Sequence, residues 1–481
     1  MLSDKRLLRT DCYIGGEWVS ADSQFEVRNP ATGEGLAEVA DADAALARRA
    51  VESATGAWPG WRSMLAKERT ATLRRWFDLV LENLEDLAQL MTLEQGKPLT
   101  ESRGEVRYGA AFIEWFGEEA KRVYGDTIPN HGPGKRIVVM KEPVGVVAAV
   151  TPWNFPIAMI TRKAGAALAA GCTFVVKPAE DTPLCALALA ELADRAGLPG
   201  GVFNVVPTSR PAPVGEVLTT DPRVRKFSFT GSTAVGKRLL GQCATTVKKV
   251  SMELGGNAPF IVFEDADIDA AVQGAMASKY RNAGQTCVCA NRILVQRSVH
   301  DAFVEKLAAE VSRLRVGNGL DEGVTIGPLI HRKAANEVES KVADALGAGA
   351  KAVVGGGGAA SGPNFFEPTV LTGVNEDMRV FNEEIFGPVA PVLSFEDEAH
   401  ALSMANATPF GLAAYFYSRD VGRVWRVMEG LEYGMVACND GMLSTEVAPF
   451  GGMKESGLGR EGSYYGIDDY VEVKYGLFGG L

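Results

Sequence analysis

The sequence predicts an α/β fold built from two parallel sheets that are covered by helices. Short segments rich in β-branched and aromatic residues alternate with Ala-rich helical segments from about Val144 onward. This alternation is typical of βαβ units in a doubly wound sheet. A second alternating series begins at Ala258 and predicts a second α/β domain. The length of 481 residues allows about three domains.

The first series begins in the longest uncharged run of the chain, residues 143–161. Pro152 and Pro156 interrupt this run, so it predicts a buried strand followed by a turn rather than a membrane span. The strands of this series are predicted at Val144–Val150, Phe174–Lys177, Val202–Val206, Lys226–Phe229 and Lys249–Glu253, and the helices at Pro183–Arg195 and Ser232–Gln242.

The second series has the same alternation. Its strands are predicted near Pro259–Phe263, Arg292–Val295, Lys351–Val354 and Ala390–Phe395, and its helices near Asp267–Ala277, Asp301–Leu314 and His331–Leu346.

Segments outside the two series predict a helical N-terminal part and two exposed strands. Lys67–Gln95 is a long amphipathic stretch. Arg136–Lys141 and Tyr470–Tyr475 have strand patterns. Because unpaired strand edges can pair with another chain, these two segments indicate a homo-oligomer, either a dimer or a tetramer.

Composition excludes several classes of protein. The formal net charge of -11 argues against nucleic acid or an anionic membrane as a partner. The charged segment Met1–Arg6 lacks the apolar core of a signal peptide, and the seven cysteines show no disulfide framework spacing. Both observations predict a cytoplasmic protein. The four histidines stand in no metal-binding pattern, so no protein-held metal is predicted.

Cys287 is the most informative candidate for chemistry. It follows Gly284-Gln285-Thr286, with Arg281 upstream and Cys289 two residues downstream, which indicates a nucleophile beside a substrate pocket. A free cysteine is more often a small buried hydrophobic residue. The other motifs therefore decide between these two interpretations.

Glu253 and Asn154 are the candidates for a base and an oxyanion donor. Glu253 ends an apolar strand and leads into Gly255-Gly256, where burial would raise the pKa of a carboxyl group toward that of a general base. Asn154 lies in a Pro-flanked turn, and its amide can donate to an oxyanion without adding a charge.

The junction between a strand and a helix at residues 229–237 predicts a phosphate site, because helix N-termini attract anions. The segment also imitates a P-loop, and an NTPase is the alternative from another class. Arg238 stands where a P-loop needs Ser or Thr, which disfavours that alternative. Lys177 and Glu180 follow another strand, where they could contact ribose hydroxyls.

These motifs together resemble the NAD(P)-dependent aldehyde dehydrogenase superfamily. Within it, the segments at residues 160–163, 279–282, 287–289 and 456–462 are most similar to bacterial succinate-semialdehyde dehydrogenases. The superfamily motifs follow in the family's order at Pro152-Trp153-Asn154, Lys177-Pro178-Ala179-Glu180, Phe229-Thr230-Gly231-Ser232, Glu253-Leu254-Gly255-Gly256, Gly284-Gln285-Thr286-Cys287, Glu384-Ile385-Phe386-Gly387-Pro388 and Pro449-Phe450-Gly451-Gly452.

The resemblance implies an aldehyde dehydrogenase-like fold with three parts. These are a Rossmann-like cofactor domain at residues 1–123 and 144–254, a catalytic α/β domain at residues 255–440, and a small β oligomerisation element at residues 124–143 and 467–481.

The resemblance also implies a mechanism and a cofactor site. Cys287 would form a thiohemiacetal and then a thioester, Glu253 would accept protons, and Asn154 would hold the oxyanion. The cofactor would be NAD or NADP. Its site would be formed by Thr151, Pro152, Trp153, Lys177, Glu180, Gly231, Ser232, Leu254, Glu384 and Phe386.

The implied substrate is a semialdehyde with a distal carboxylate. Arg162, Arg281 and Ser444 would bind this carboxylate, and the implied reaction is oxidation of succinate semialdehyde to succinate. One alternative is that each arginine pairs with a nearby acidic residue instead. Another is glutarate semialdehyde or a different ω-carboxy aldehyde, because one methylene is worth only about 1–3 kcal/mol in a pocket. A non-catalytic protein of the same ancestry is disfavoured by the presence of Cys287, Glu253 and Asn154 together.

Two further expectations concern Glu180 and Cys289. NADP-preferring bacterial relatives have a small residue such as serine in place of Glu180, and a carboxylate there would repel a 2′-phosphate, so NAD is expected over NADP. If the chain around Cys287 is extended, Cys289 points the same way and could form a strained disulfide with it under oxidation. The alternative is that Cys289 packs behind the nucleophile.

Overall fold

Two large sheets, each flanked by helices, confirm the predicted α/β fold. The coordinates are a computed structural model in which residues 2–481 are described. Its strands are β1 Cys12–Ile14, β2 Glu17–Val19, β3 Gln24–Arg28, β4 Gly35–Ala40, β5 Asp126–Ile128, β6 Lys135–Pro143, β7 Val146–Val150, β8 Thr173–Lys177, β9 Phe203–Val205, β10 Val224–Thr230, β11 Lys249–Glu253, β12 Ala258–Val262, β13 Ala290–Gln296, β14 Lys351–Val354, β15 Thr369–Thr372, β16 Val389–Phe395, β17 Phe410–Gly411, β18 Ala413–Tyr417, β19 Met435–Cys438, β20 Met453–Lys454, β21 Gly457–Leu458 and β22 Val471–Gly479.

The helices lie between these strands and in the N-terminal part. They are α1 Ala44–Ser63, α2 Ala66–Glu82, α3 Leu84–Gln95, α4 Leu99–Glu119, α5 Ala158–Ala170, α6 Pro183–Arg195, α7 Pro211–Thr220, α8 Thr233–Cys243, α9 Ile268–Lys279, α10 His300–Val311, α11 Arg332–Gly347, α12 Arg379–Asn382, α13 Glu398–Asn406, α14 Val421–Gly430 and α15 Tyr465–Asp468. Short 3₁₀ turns lie at Lys5–Leu7, Ala120–Arg122, Ala244–Thr246, Arg281–Gly284 and Arg297–Val299.

The first sheet places the phosphate-site motif and the Pro-flanked turn side by side. Its strand order is β2-β1-β9-β8-β7-β10-β11-β21, and the strands from β9 to β11 run parallel. Strands β8 and β9 follow on one side of β7, whereas β10 lies on the other side of β7. The chain therefore has a switch point between β7 and β10, where open α/β sheets bind their ligands at the carboxyl ends of the strands.

The second sheet has the order β14-β15-β16-β13-β12-β18-β19. Its strands run parallel except for β14, which pairs antiparallel with β15 at one edge. After this sheet the chain returns to the first one, where β21 pairs with β11 through Met252 and Glu253. The domain boundaries drawn from the sequence stay a prediction.

The two exposed strands predicted outside the main series form one antiparallel sheet. Strand β22 pairs along its whole length with β6, which also pairs with β5. Apolar side chains on this sheet are exposed, among them Val473, Tyr475 and Phe478.

The N-terminal part is mostly helical, as predicted, but the structure adds strands and a helix break that the sequence did not indicate. The N-terminal part also contains the hairpins β1–β2 and β3–β4, and β1 extends the first sheet by pairing with β9. The Lys67–Gln95 stretch is broken between α2 and α3 at Asn83, whose backbone leaves the helical region. The second series also includes β15, β18 and β19, which were not predicted.

Helix α5 is buried along its entire length and packs tightly against α4. Every residue of α5 is buried. Gly109 of α4 lies so close to this helix that a Cβ there would stand 2.7 Å from Ile157 Cγ2, and a Cβ at Gly165 would stand 3.0 Å from the Phe112 carbonyl oxygen. Glycine at these two positions therefore permits the close approach of the two helices.

A buried ion pair joins α4 to the turn before α5. Lys97 Nζ lies 2.5 Å from Glu105 Oε2, and both side chains are 1% exposed. Lys97 also donates to the Asn154 carbonyl oxygen at 2.7 Å. The other Glu105 oxygen accepts from the N–H groups of Ile157 at 3.0 Å and Ala158 at 3.3 Å. One pair of charges thus holds both the Asn154 turn and the start of α5.

The structure of residues 2–481 contains neither a membrane-spanning helix nor a cluster of metal-binding side chains. No helix there combines the length and apolar character that a membrane span requires. Nor do His, Cys, Asp and Glu side chains within that range gather into a group that could hold a metal ion.

We expect Glu105→Gln to lower the free energy of unfolding by about 3–5 kcal/mol, because it leaves the Lys97 ammonium buried without its counter-charge. Chemical denaturation followed by circular dichroism measures the change. Glu85→Gln is the matched control, since it removes the exposed pair between Glu85 and Arg103 and should cost less than about 1 kcal/mol. Replacing both Lys97 and Glu105 by Met should recover much of the loss. Equal costs for the buried and the exposed variant would contradict the prediction.

Candidate active site

A cleft of about 310 Å³ lies between the two sheets. The carboxyl ends of β7, β10 and β11 face it from the first sheet, and the segments that precede β12, β13 and β16 face it from the second. Most residues predicted for the site line this one cleft. They are Pro152, Trp153, Asn154, Gly231, Ser232, Glu253, Leu254, Cys287, Glu384 and Phe386.

Cys287 lies at the cleft in a tight turn. The N–H of Cys289 closes this turn on the Thr286 carbonyl oxygen at 3.1 Å. Within the described part of the chain, the backbone N–H of Cys287 has no acceptor, so it is free to donate to a ligand. Burial raises the pKa of the Cys287 thiol to about 12, although the nearby Arg162 guanidinium lowers it. The thiol is therefore protonated at neutral pH and needs a proton acceptor before it can act as a nucleophile.

A left-handed backbone turn precedes the nucleophile. Asn282, Ala283 and Gly284 have φ of 52°, 54° and 75°. A Cβ at Gly284 would stand 2.2 Å from the Gly387 carbonyl oxygen, which only glycine avoids. For Ala283 the left-handed conformation is strained, and such strain persists only where the surroundings enforce it.

The hydrogen bonds of Asn282 hold much of this left-handed turn in place. Its N–H donates to Glu101 Oε2 at 2.8 Å, its Oδ1 accepts from Gln95 at 3.0 Å, and its Nδ2 donates to the Asn154 carbonyl oxygen at 3.0 Å. The sequence pattern alone assigns no role to Asn282. The signal that was available is the residue type, because asparagine tolerates the left-handed region better than most residues.

Asn154 is fixed by the same network. Its carbonyl oxygen accepts from Lys97 and Asn282, and its side-chain amide donates to the Gln285 carbonyl oxygen at 3.0 Å. The side chain is 4% exposed, and its Oδ1 has no partner among residues 2–481. The turn thus holds the amide rigidly on the cleft wall next to Cys287.

Glu253 enters the cleft as a buried carboxyl group. It is 2% exposed, and neither of its oxygens has a hydrogen-bond partner among the described residues. Burial raises the pKa of Glu253 well above its usual range, and the negative charge of Glu461 raises it further. This shift has the direction that the sequence predicted for a general base.

Glu461 is a buried charge beside Glu253 to which the sequence pattern assigns no role. It forms a buried ion pair with Lys163, and Arg162 Nε donates to it at 2.7 Å. Burial alone would raise the pKa of Glu461, but the Lys163 ammonium and the Arg162 guanidinium lower it, so this carboxylate stays charged.

A second, narrow cavity of about 10 Å³ extends from Cys287 to the predicted anion-binding residues. Arg162, Arg281 and Ser444 all line it. Arg281 has no ion pair within the part of the chain that the structure describes, and its guanidinium lies over the Phe155 ring at 5.2 Å. Arg162 instead follows the alternative interpretation, because it pairs with Glu461. Its Nη2 lies 2.5 Å from Glu461 Oε2 but is not aligned for a hydrogen bond.

The candidate cofactor residues of the cleft leave space and donors for a dinucleotide. Ser232 precedes α8 but does not cap it, so the first N–H groups of this helix have no side-chain acceptor. Glu384 Oε1 accepts from the Gly256 N–H at 3.1 Å, and burial raises the pKa of Glu384 to about 7. The rings of Trp153 and Phe386 meet edge to face with centroids 5.6 Å apart.

Three candidate cofactor residues do not line the cleft. Thr151 and Lys177 lie at the ends of neighbouring strands, where the Thr151 N–H donates to the Lys177 carbonyl oxygen at 3.2 Å. Lys177 Nζ pairs with Glu180 at 2.9 Å, and the Glu180 side chain is 44% exposed. These residues lie at the same sheet edge as Ser232, farther along it.

The structure contradicts the premise of the Cys289 hypothesis. Cys287 and Cys289 lie in a turn rather than an extended segment, so the rule that residues two apart in a strand point to the same face does not apply to them. Cys289 is buried, and its thiol lies 3.5 Å from the Lys279 carbonyl oxygen. Both cysteines are free. Cys289 therefore lacks the extended geometry that the disulfide hypothesis assumed, and its packing behind Cys287 stays a prediction.

The P-loop alternative also finds no support. Lys237, the residue that would bind phosphate in a P-loop, pairs with Glu455 at 2.7 Å on the surface. Its side chain is 57% exposed and does not line the cleft.

Comparisons with known proteins agree with this site. The model of the aldehyde dehydrogenase family matches residues 18–475. The chain is 61% identical to glutarate-semialdehyde dehydrogenase of Pseudomonas aeruginosa over 100% of both chains, and 60% identical to the NADP(+) succinate-semialdehyde dehydrogenase GabD of Escherichia coli over 99% of both. The solved structure of succinate-semialdehyde dehydrogenase from Burkholderia pseudomallei is 62% identical, with a TM-score of 0.99 over 100% of both chains. The chain therefore belongs to the aldehyde dehydrogenase family of oxidoreductases.

Proposed function

We propose that this enzyme oxidises succinate semialdehyde to succinate with NAD(P). The observation that carries the proposal is the narrow cavity, which joins the Cys287 nucleophile to the unpaired guanidinium of Arg281. A guanidinium binds a carboxylate through two parallel hydrogen bonds. An aldehyde at Cys287 with a carboxylate at Arg281 fits this arrangement, and a neutral aldehyde would leave Arg281 without a partner.

The length of the substrate is supported by the relatives. Proteins named succinate-semialdehyde dehydrogenase match this chain at 60% and 62% identity, so we place succinate semialdehyde before longer ω-carboxy aldehydes. Glutarate semialdehyde is the second candidate, because a relative with 61% identity is named for it. A screen of NADH and NADPH formation over semialdehydes and neutral aldehydes of two to six carbons tests the assignment. A preference for neutral aldehydes would refute it.

Cys287, Glu253 and Asn154 would carry out the covalent chemistry. Both Cys287 and Glu253 lie in a low-dielectric cleft that disfavours their charged forms. Glu253, directly or through water, would accept the thiol proton as sulfur attacks the aldehyde. The Asn154 side-chain amide and the Cys287 N–H would hold the resulting oxyanion. Water activated by Glu253 would then hydrolyse the thioester to release the acid.

The residues of the cleft fit a dinucleotide. Uncapped N–H groups at the start of α8 suit a pyrophosphate. A Cβ at Gly255 would stand 3.1 Å from Glu384 Oε2 and 3.3 Å from Thr233 Oγ1, so glycine keeps this wall of the cleft open. Glu384 would bind the nicotinamide ribose, Trp153 and Phe386 would flank the ring, and Lys177 and Glu180 would bind the adenosine ribose. When bound, the cofactor accepts the hydride of the thiohemiacetal.

We also propose that the enzyme is a homo-oligomer and that it is located in the cytoplasm. The sheet of β5, β6 and β22 exposes an antiparallel edge and apolar side chains such as Tyr475 and Phe478, which would be covered by a partner subunit. The free thiol state of all seven cysteines suits a reducing compartment.

We expect kcat to rise with pH over a range above the usual titration of a glutamate, because the pKa of Glu253 is raised and only the deprotonated form accepts a proton. Glu253→Gln should lower kcat by about 10²–10⁴-fold and remove the plateau of this profile. Pre-steady-state measurement should show the acyl-enzyme accumulating in this variant. Glu339→Gln, which changes an exposed carboxylate, is the control. An unchanged pH profile in Glu253→Gln would rule out the assigned role.

We expect Arg281→Ala to raise KM for succinate semialdehyde by about 10–100-fold, because a charge-assisted hydrogen bond contributes about 1.5–3 kcal/mol. KM for butanal, which lacks the carboxylate, should change little. Steady-state kinetics with both aldehydes measures the difference, and Arg313→Ala at an exposed site is the control. Equal increases for both aldehydes would eliminate the proposed contact.

We expect kcat/KM to be higher with NAD than with NADP by about tenfold, because Glu180 repels a 2′-phosphate and occupies Lys177. Glu180→Ser would free the Lys177 ammonium and should raise kcat/KM for NADP. Kinetics with each cofactor, in both the native enzyme and the variant, measure the effect. A clear preference of the native enzyme for NADP would show that Glu180 does not face the ribose.

A further inference from the structure

We propose that the hydroxyl group of Tyr108 binds the distal anion of the substrate beside Arg281 and contributes to selection for charged aldehydes. Tyr108 lies in α4 and lines the narrow cavity together with Cys287 and Arg281. This inference rests on the proposed function and adds to it a specificity-determining residue.

Unpartnered polar atoms concentrate in this cavity. Buried side-chain oxygen and nitrogen atoms without a hydrogen-bond partner are few among residues 2–481, and Tyr108 Oη and Thr286 Oγ1 are among them. Both residues line the narrow cavity. Leaving such an atom unpaired costs about 1–3 kcal/mol, so two in one small space beside the Arg281 guanidinium point to a ligand that pairs with them.

The chemical character of the cavity identifies that ligand as an anion. Arg281, Tyr108, Thr286 and Ser444 bring N–H or O–H donors to it, whereas Arg162 already pairs with Glu461, and no Asp or Glu is in the lining itself. Burial raises the pKa of the Tyr108 phenol, so it stays protonated and available as a donor. Donors with no competing carboxylate complement an anionic group and leave a neutral methyl terminus unmatched.

The position of Tyr108 assigns it to the distal end of the substrate. Thr286 is adjacent to Cys287 in the chain and is therefore tied to the aldehyde end, whereas Tyr108 comes from the separate helix α4. Its ring packs edge to face on Phe112 with centroids 5.0 Å apart, which fixes the direction of the hydroxyl. Tyr108 lines the same cavity as Arg281, whose guanidinium has no ion pair among the described residues.

Kinetics of Tyr108→Phe test this inference. The variant keeps the ring against Phe112 and removes only a hydroxyl that has no protein partner. We expect KM for succinate semialdehyde to rise by about 10–100-fold and KM for butanal to stay within about twofold. Tyr470→Phe is the matched control, because Tyr470 also has a buried hydroxyl without a partner but does not line the cavity. Tyr108→Leu is a second variant and should show the same selective loss.

The outcomes separate this inference from the proposed function. If the native enzyme prefers butanal, the proposed function fails, and Tyr108 has no distal anion to bind. If the native enzyme prefers succinate semialdehyde but Tyr108→Phe retains that preference, or loses activity equally toward both aldehydes, the role of Tyr108 alone is refuted. A selective rise in KM for the semialdehyde in both Tyr108 variants, absent from Tyr470→Phe, supports it.

Discussion

The buried ion pair between Lys97 and Glu105 is the interaction on which the arrangement of the site depends. Its two charges satisfy backbone groups on both sides of the site, namely the Asn154 carbonyl oxygen, which Asn282 also contacts, and the N–H groups of Ile157 and Ala158 at the start of α5. A buried pair of charges contributes little net stability compared with apolar residues of similar size. The pair instead specifies one conformation of the Asn154 turn and the start of α5, because the hydrogen bonds of each charged group can be satisfied in only one arrangement. The oxyanion donor and the helix that carries Arg162 and Lys163 are therefore fixed by one device.

A second group of charges, formed by Glu461, Lys163 and Arg162, affects the pKa values of Cys287 and Glu253. Glu461 neutralises cations that would otherwise stabilise a thiolate at Cys287 and a carboxylate at Glu253. The pKa values of both groups are therefore raised before substrate binds. A protonated thiol is inert toward many electrophiles. Attack is then coupled to proton transfer within the cleft, which protects the nucleophile between turnovers.

Sequence patterns predicted the parts of the fold that depend on local periodicity. Strands buried on both faces, such as Val146–Val150, and Ala-rich helices such as α6 were found within a few residues of their actual bounds. Pairings between distant segments were not accessible in the same way. Arg162 was expected to be free because nothing local indicates Glu461, which lies 299 residues away along the chain. Cys289 was misplaced for a related reason, since the turn at Cys287 depends on contacts outside the motif.

The distance between the nucleophile and the anion site is determined by backbone conformation rather than by pocket shape alone. Cys287 and Arg281 lie on the same short loop, and the left-handed residues Asn282, Ala283 and Gly284 separate them. An extended chain would place the sulfur and the guanidinium much farther apart than this compact turn does. The turn persists because Asn282 is bound by Glu101, Gln95 and the Asn154 carbonyl oxygen. The contacts of Asn282 thus support the backbone that separates Cys287 from Arg281.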